Sequence, residues 1–123
     1  MARVLVCGDR YWTDKEMIRE KLIKNKHNID LIIEGGANGA DRLAFECAKE
    51  LDIPVMEFSA GWAKFGRAAG PIRNKQMIDE GKPEIVLAFH DDITKSKGTK
   101  NMVEQARKRG KIVYIYTHNG PVV

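Results

Sequence analysis

Five short apolar segments recur along the chain, and each contains β-branched residues. They are RVLVC (3–7), DLIIE (30–34), IPVMEF (53–58), EIVLAF (84–89) and KIVYIY (111–116). All except the third are nearly continuous hydrophobic runs, which is typical of strands buried on both faces of a parallel sheet. The pattern therefore predicts five strands, four of which are buried on both faces of a sheet.

Segments with a helical period of apolar residues separate these strands. The first is predicted at 14–24, where a capping box of Thr13 and Glu16 precedes a buried stripe. The third is predicted to begin with Gly70 as its cap and Pro71 as its first residue, and to end at Gly81. Inward-facing residues of the first, second and fourth helices are Met17, Ile18, Leu22, Ile23, Leu43, Ala44, Cys47, Ala48, Leu51, Met102, Val103 and Ala106.

Strand and helix alternate through five strands and four helices. This alternation predicts an α/β fold with a Rossmann-like, doubly wound parallel sheet in the strand order 3-2-1-4-5, formed by residues 1–123 as a single domain. The tail THNGPVV is expected to be peripheral. In such sheets ligands bind beyond the carboxyl ends of the strands, near the switch point between the first and fourth strands.

Composition and charge limit the partners and the cellular compartment that we expect for such a domain. The net charge of +4, from 21 basic and 17 acidic residues, permits an anionic partner but is small for a dedicated DNA-binding domain. The two cysteines, Cys7 and Cys47, are expected to be buried free thiols. No leader peptide and no membrane-spanning run are apparent, so we expect a cytoplasmic protein without membrane contact.

Cations cluster where two helices are predicted to begin. Arg67, Arg73 and Lys75 lie near the start of the third helix, and the segment KSKGTK (95–100) surrounds the start of the fourth, where Thr99 is the expected cap. Positive charge at a helix N-terminus costs roughly 0.3–1 kcal/mol per residue. An anion between the two N-termini would reverse that cost, because charge-assisted hydrogen bonds and helix dipoles would then favour it.

A glycine-rich loop, GGANGAD, follows the second strand and opens the second helix. Its glycines, Gly35, Gly36 and Gly39, together with Ala37, are typical of a backbone cradle for phosphate, although an ordinary turn also uses glycine. Asp41 either accepts a ribose hydroxyl or caps its own helix. The spacing is that of neither a P-loop nor the dinucleotide-binding fingerprint.

Aromatic and acidic residues of the loops leave two interpretations open. Trp12 and Trp62 either stack on a ligand's base or fill the rim of the core. The run His90-Asp91-Asp92 is better interpreted as a turn than as a metal site, and no metal is expected.

Four segments, GDR (8–10), GGANGADRLA, GWAKFGRAAGPIRNKQM and GTKNMVEQA, together resemble the YspA-like, cpYpsA-related branch of the SLOG superfamily, over about residues 3–116. The resemblance implies a Rossmann-like fold that binds nucleotides or nucleotide-derived ligands, including NAD-related and ADP-ribose-type molecules. It also implies a homo-oligomer. The superfamily includes the lonely-guy phosphoribohydrolases and the DNA-processing A proteins.

Comparison with the phosphoribohydrolase motif addresses catalysis. Arg73 matches the arginine of that family's Arg-Lys pair, Asn74 replaces the lysine, and Gly98 and Thr99 match its Gly-Thr. The catalytic glutamate falls on Met102, whose thioether neither takes a proton nor stabilises an oxocarbenium ion. Ligand binding therefore carries over better than hydrolysis.

These observations predict a protein that binds a phosphate-bearing, nucleotide-derived small molecule and senses or sequesters it. One alternative is a nucleotide N-glycosidase that uses another carboxylate, from Asp9, Asp41 or Asp91, and a second is a single-stranded DNA-binding module. No catalytic residue is assigned. The candidate ligand-binding residues are Gly8, Arg10, Gly35, Gly36, Ala37, Gly39, Asp41, Trp62, Arg67, Gly70, Arg73, Asn74, Gly98 and Thr99.

Overall fold

A computed structural model describes residues 2–61 and 65–122 of the chain, without the side chain of Arg67. The strands are β1 (Ala2–Gly8), β2 (Ile29–Glu34), β3 (Val55–Glu57), β4 (Ile85–Phe89), β5 (Ile112–Thr117) and β6 (Gly120–Pro121). The helices are α1 (Lys15–Lys24), α2 (Ala40–Glu50), α3 (Ala69–Gly81) and α4 (Lys97–Lys108). None of the helices in these residues is long and apolar enough to cross a bilayer.

The six strands form one sheet in the order β3-β2-β1-β4-β5-β6. Pairing is parallel from β3 to β5, so the predicted doubly wound order is confirmed. The tail lies at the edge of the sheet, where it adds a sixth strand that was not predicted: β6 pairs antiparallel with β5 through Tyr116 and Pro121. Two residues are too few to produce a period-two pattern, so this strand has no signal in the sequence.

Helices cover both faces of the sheet, and alternate strand residues point to each face. Helices α1 and α2 pack with one set, which includes Val6, Ile32 and Phe89. Helices α3 and α4 pack with the other, which includes Leu5 and Ile33. Burial of each such side chain contributes about 1.5–3 kcal/mol, which explains the continuous hydrophobic runs of the central strands.

Two helices begin at caps other than the predicted ones. The carboxylate of Asp14, rather than the hydroxyl of Thr13, accepts from the amide of Met17 at 3.1 Å and caps α1. Ser96, rather than Thr99, caps α4. Ile23 is 44% exposed, so it lies outside the buried stripe of α1. Adjacent Asp, Ser and Thr residues all have cap-forming oxygens, so their identity alone does not fix the boundary.

Helix α3 begins one residue before Gly70 and continues directly from a 3₁₀ turn at Gly66–Ala68. Gly70 is therefore not the cap, and Pro71 is the third helical residue instead of the first. Proline is tolerated there because the first four amides of a helix have no intrahelical acceptor.

The C-terminal end of α3 provides a stability prediction. Lys82 follows the helix with φ of +52°, a left-handed conformation that glycine adopts without a Cβ clash. We expect Lys82→Gly to raise the free energy of unfolding by about 0.5–1 kcal/mol, measured by urea denaturation. Glu20→Gly, at an exposed site inside α1, should instead destabilise the protein. A Lys82→Gly variant less stable than the parent would contradict this interpretation.

Candidate functional site

The loops after the parallel strands surround a cleft of about 630 Å³ at the switch point between β1 and β4. Its lining residues come mainly from the loops after β1, β2 and β4 and from helices α3 and α4. The described residues between β3 and α3 do not line it. They are Cys7, Gly8, Asp9, Arg10, Tyr11, Ala37, Asp41, Gly70, Arg73, Asn74, Met77, His90, Lys95, Ser96, Lys97, Gly98, Thr99 and Met102. A smaller cavity of about 340 Å³, between α1 and β5, contains none of the predicted site residues.

The structure brings together most of the candidate residues. Gly8, Arg10, Ala37, Asp41, Gly70, Arg73, Asn74, Gly98 and Thr99 line the cleft. Gly35, Gly36 and Gly39 belong to the neighbouring loop but do not line the cleft. Trp62 and the side chain of Arg67 lie outside the described residues, and their predicted roles stay predictions.

The glycine loop differs from the expected phosphate cradle. The amides of Gly35 and Ala37 donate to Oδ2 of Asp41 at 3.2 and 3.3 Å, and the amide of Gly36 donates to Oε1 of Glu34 at 2.7 Å. These three amides therefore bind carboxylates of the protein itself, which take the place that the prediction gave to phosphate. Asp41 therefore holds the loop before α2 and does not cap that helix, whose N-terminus has no side-chain cap bond. Its contact with a ribose hydroxyl stays a prediction.

Arg73 joins this loop to α3. Its Nη1 donates to the carbonyl of Gly35 at 2.6 Å, and its Nε donates to Oδ1 of Asn74 at 3.2 Å. A Cβ on Gly35 would lie 2.5 Å from Arg73 Nη1 and 3.0 Å from Asp41 Oδ2, so a side chain there would displace the Arg73 guanidinium. Burial raises the pKa of Asp41 to about 6, while Arg73 and the loop amides act in the opposite direction. Arg73 thus serves as the counter-ion of a buried carboxylate and also lines the cleft.

Asn74 connects α3 with the first turn of α4. It is buried, and its Nδ2 donates at 3.1 Å both to the carbonyl of Gly98 and to Oδ1 of Asn101. Gln105 donates to the same Oδ1 at 2.8 Å. These bonds show that Asn74 positions the N-terminus of α4, and its predicted part in ligand binding stays a prediction. Asn101 and Gln105 were missed, because only the packed helices reveal their contact.

The N-terminus of α4 is the most basic part of the cleft. The hydroxyl of Ser96 accepts from the amide of Thr99 at 3.2 Å, and Lys95 and Lys97 flank that cap. The lining contains four cationic side chains, Arg10, Arg73, Lys95 and Lys97, and two carboxylates, Asp9 and Asp41. Within residues 2–61 and 65–122, no carboxylate lies within 4.0 Å of Arg10, Lys95 or Lys97.

His90 lines the cleft although the sequence suggested only a turn. It is 9% exposed, and its Nδ1 accepts from the amide of Asp92 at 2.9 Å, which confirms the turn. In the neutral ring that bond places the proton on Nε2, so the imidazole is a hydrogen-bond donor there. Cys7 and Met102 add apolar surface, and burial raises the pKa of the Cys7 thiol far above its usual value.

The two aromatic residues after β1 have opposite environments. Trp12 is 2% exposed, stacks on His118 with ring centroids 4.0 Å apart, and donates from Nε1 to the carbonyl of Asp14. Trp12 therefore belongs to the core and not to the cleft, which decides between its two interpretations. Tyr11 is 78% exposed and lines the cleft.

A buried glutamate lies directly behind the glycine loop. Glu34 is 0% exposed, and its Oε2 lacks a well-placed hydrogen-bond partner among the described residues. The carboxyl of Glu57, its register partner on β3, lies close by. Burial and, to a lesser extent, Glu57 raise the pKa of Glu34 to about 8, against the opposing effect of the Gly36 amide. Glu34 is therefore mainly protonated at neutral pH.

This glutamate predicts an unusual dependence of stability on pH. The folded protein keeps a proton that the unfolded chain loses above the ordinary glutamate pKa of 4.5, so the stabilisation is complete below that pH. It is lost as the pH rises through about 8. Between about pH 6.5 and 8, the free energy of unfolding should fall by up to about 1.4 kcal/mol per pH unit.

Glu34→Gln mimics the protonated acid and should remove most of this slope, as measured by urea denaturation across that range. Glu20→Gln, at an exposed site on α1, is the matched control and should retain it. An unchanged slope in Glu34→Gln would show that another group binds the proton.

Comparison with known proteins agrees with the fold. The chain is 30% identical over 118 residues to the Gene 61 protein of Mycobacterium phage D29. The aligned region covers 89% of this chain and 92% of that protein. The structure of this chain resembles that of DNA processing protein A from Streptococcus pneumoniae, with a TM-score of 0.73 and 20% identity. That match covers 94% of this chain and 50% of the other, so the chain spans about half the length of that protein. Residues 2–65 match the model of the YspA, cpYpsA-related SLOG family, and the chain belongs to that family.

Proposed function

We propose that the cleft binds a phosphate-bearing, nucleotide-derived small molecule, which the protein senses or sequesters. One observation carries the proposal: among the described residues, four cationic side chains and the N-terminus of α4 meet in a cleft that has two carboxylates. One of these, Asp41, already accepts from two amides and faces Arg73. The remaining positive charge favours an anion, and charge-assisted bonds at a helix N-terminus suit phosphate.

The size of the cleft supports a ligand larger than phosphate. A volume of about 630 Å³ lies within the range of roughly 300–1,000 Å³ that small-molecule and cofactor sites occupy. Its lining also combines apolar surface, from Cys7, Met77 and Met102, with hydrogen-bonding groups from Asp9 and His90. A nucleotide presents the same mixture of an apolar base, sugar hydroxyls and phosphate.

The arrangement gives binding better support than hydrolysis. Met102, at the position of the phosphoribohydrolase glutamate, is 1% exposed and lines the cleft, where it supplies no proton transfer. Asp9 and Asp41 are the carboxylates that line the cleft among the described residues, and both bind backbone amides through one oxygen. An N-glycosidase that uses one of them is the alternative, and turnover distinguishes the two.

Single-stranded DNA is a second candidate, because the fold neighbour is by name a DNA processing protein. The sheet and helices match over 94% of this chain. A DNA-binding surface predicts affinity that falls steeply with salt as phosphate contacts are replaced by counter-ions. A small-molecule cleft predicts little affinity for a long oligonucleotide.

Isothermal titration calorimetry tests the proposal with a panel of AMP, ADP-ribose, NAD and ribose 5-phosphate. Adenosine is the matched control without phosphate, and a 20-nucleotide single strand tests the DNA alternative. We expect one-to-one binding of at least one phosphate-bearing ligand and none of adenosine. Chromatography of the incubated ligands should recover them intact. Binding of adenosine as tight as that of AMP, or no binding by any phosphate-bearing member, would contradict the proposal.

A further inference from the structure

Tyr11 occupies a position that the packing of the protein does not explain. Its side chain is 78% exposed, the highest value among the exposed large hydrophobic side chains in residues 2–61 and 65–122. The next residue, Trp12, is 2% exposed. The sequence thus places two aromatic rings side by side, and the fold buries one and presents the other at the cleft.

The turn that carries Tyr11 is held from several sides. The amide of Tyr11 donates to Oδ1 of Asp9 at 2.9 Å, and the carbonyl of Asp9 accepts from the amides of Trp12 and Ala40, each at 3.1 Å. The amide of Asp9 donates to the carbonyl of Phe89 at 2.8 Å. Because these bonds connect the turn to β4 and α2, ordering Tyr11 against a ligand would cost little backbone entropy.

The neighbouring groups suit a flat, aromatic ligand. The guanidinium of Arg10 lies 5.9 Å from the centroid of the Tyr11 ring, and both residues line the same cleft as Lys97 and Arg73. Tyrosine and arginine planes stack on nucleobases, and a base has an aromatic face whatever its identity. Phosphate binding uses the cationic residues and leaves the exposed ring without a role.

We propose that Tyr11 stacks on the nucleobase of the ligand, so that the cleft selects base-containing nucleotides over sugar phosphates. The inference rests on the proposed function, because it concerns the other end of the same ligand. Stacking tolerates different bases. The protein should therefore bind a nucleotide more tightly than the matching sugar phosphate without a base, with little preference among bases.

Calorimetry with AMP and ribose 5-phosphate tests the inference, because the two differ by the base. We expect the parent protein to bind AMP more tightly. Tyr11→Ala should weaken AMP about tenfold and leave ribose 5-phosphate unchanged, whereas Tyr11→Phe should retain the parent's affinity for both. Tyr114→Ala, at a half-exposed tyrosine on β5 outside the cleft, is the matched control and should alter neither.

The outcomes separate this inference from the proposed function. If AMP and ribose 5-phosphate bind equally well, or Tyr11→Ala changes both alike or neither, the stacking role is wrong and the phosphate site remains. If no phosphate-bearing ligand binds the parent protein, the proposed function fails and the inference fails with it. Thermal unfolding of Tyr11→Ala should match that of the parent, because the side chain is exposed.

Discussion

Gly39→Ala should destabilise the fold by about 2–6 kcal/mol. Gly39 adopts φ of +75° and ψ of −127°, a conformation that residues with a Cβ rarely adopt. A Cβ there would lie 2.2 Å from the carbonyl oxygen of Asp9 and 2.4 Å from the carbonyl carbon of Arg10. Backbone strain of about 1–3 kcal/mol and overpacking of about 1–3 kcal/mol both contribute.

The clash at Gly39 has no easy relief, because the atoms it meets are backbone. The carbonyl of Asp9 is held by the amides of Trp12 and Ala40, so a shift would break bonds at the start of α2. Urea denaturation measures the effect. Gly98→Ala is the control, since its Cβ would meet nothing within 4 Å inside α4, and it should leave stability unchanged or raise it by up to about 1 kcal/mol. Equal stability of the two variants would contradict this description of the loop.

Arg73→Ala should lower the affinity for AMP more than tenfold, which corresponds to about 1.4 kcal/mol. Its guanidinium is a charged group that lines the cleft and is already oriented by the carbonyl of Gly35 and by Asn74. A cation held in this way loses little entropy when it binds phosphate. The same substitution should reduce stability by about 1–3 kcal/mol, since buried Asp41 loses the positive charge that favours its ionised form.

The loss of stability follows from the second role of Arg73, which is to balance the charge of buried Asp41. Calorimetry should be performed well below the melting temperature, with circular dichroism to verify the fold. Arg73→Lys keeps the charge and should retain more stability than Arg73→Ala. Arg107→Ala, at an exposed site late in α4, controls for net charge. A folded Arg73→Ala protein that binds AMP like its parent would exclude Arg73 from the site.

Sequence patterns predicted the fold well because burial dominates it. The runs at 3–7, 30–34 and 84–89 are hydrophobic on both faces, and they form the three central strands β1, β2 and β4. The alternation with helices leaves few right-handed arrangements, and the strand order follows. The same logic located the cleft, because the carboxyl ends of parallel strands share one edge.

The details of the site depend on contacts that sequence spacing does not specify. GGANGAD predicted free amides, but Asp41 folds back on Gly35 and Ala37, and Glu34 on Gly36. Tyr11 and Trp12 are adjacent aromatic residues, and sequence alone does not show which of the two rings is buried. In the structure Trp12 packs against Phe89 and His118, whereas Tyr11 is exposed. These outcomes arise from packing among distant parts of the chain.

The position of the AMP phosphate in the bound protein tests most directly whether the cleft is a phosphate-binding site. Crystals of the protein grown with saturating AMP should show the phosphate of AMP within hydrogen-bonding distance of Arg73 and of the N-terminal residues of α4, Lys97 to Thr99. AMP bound outside the cleft, or bound inside with its phosphate directed away from both Arg73 and α4, would contradict it.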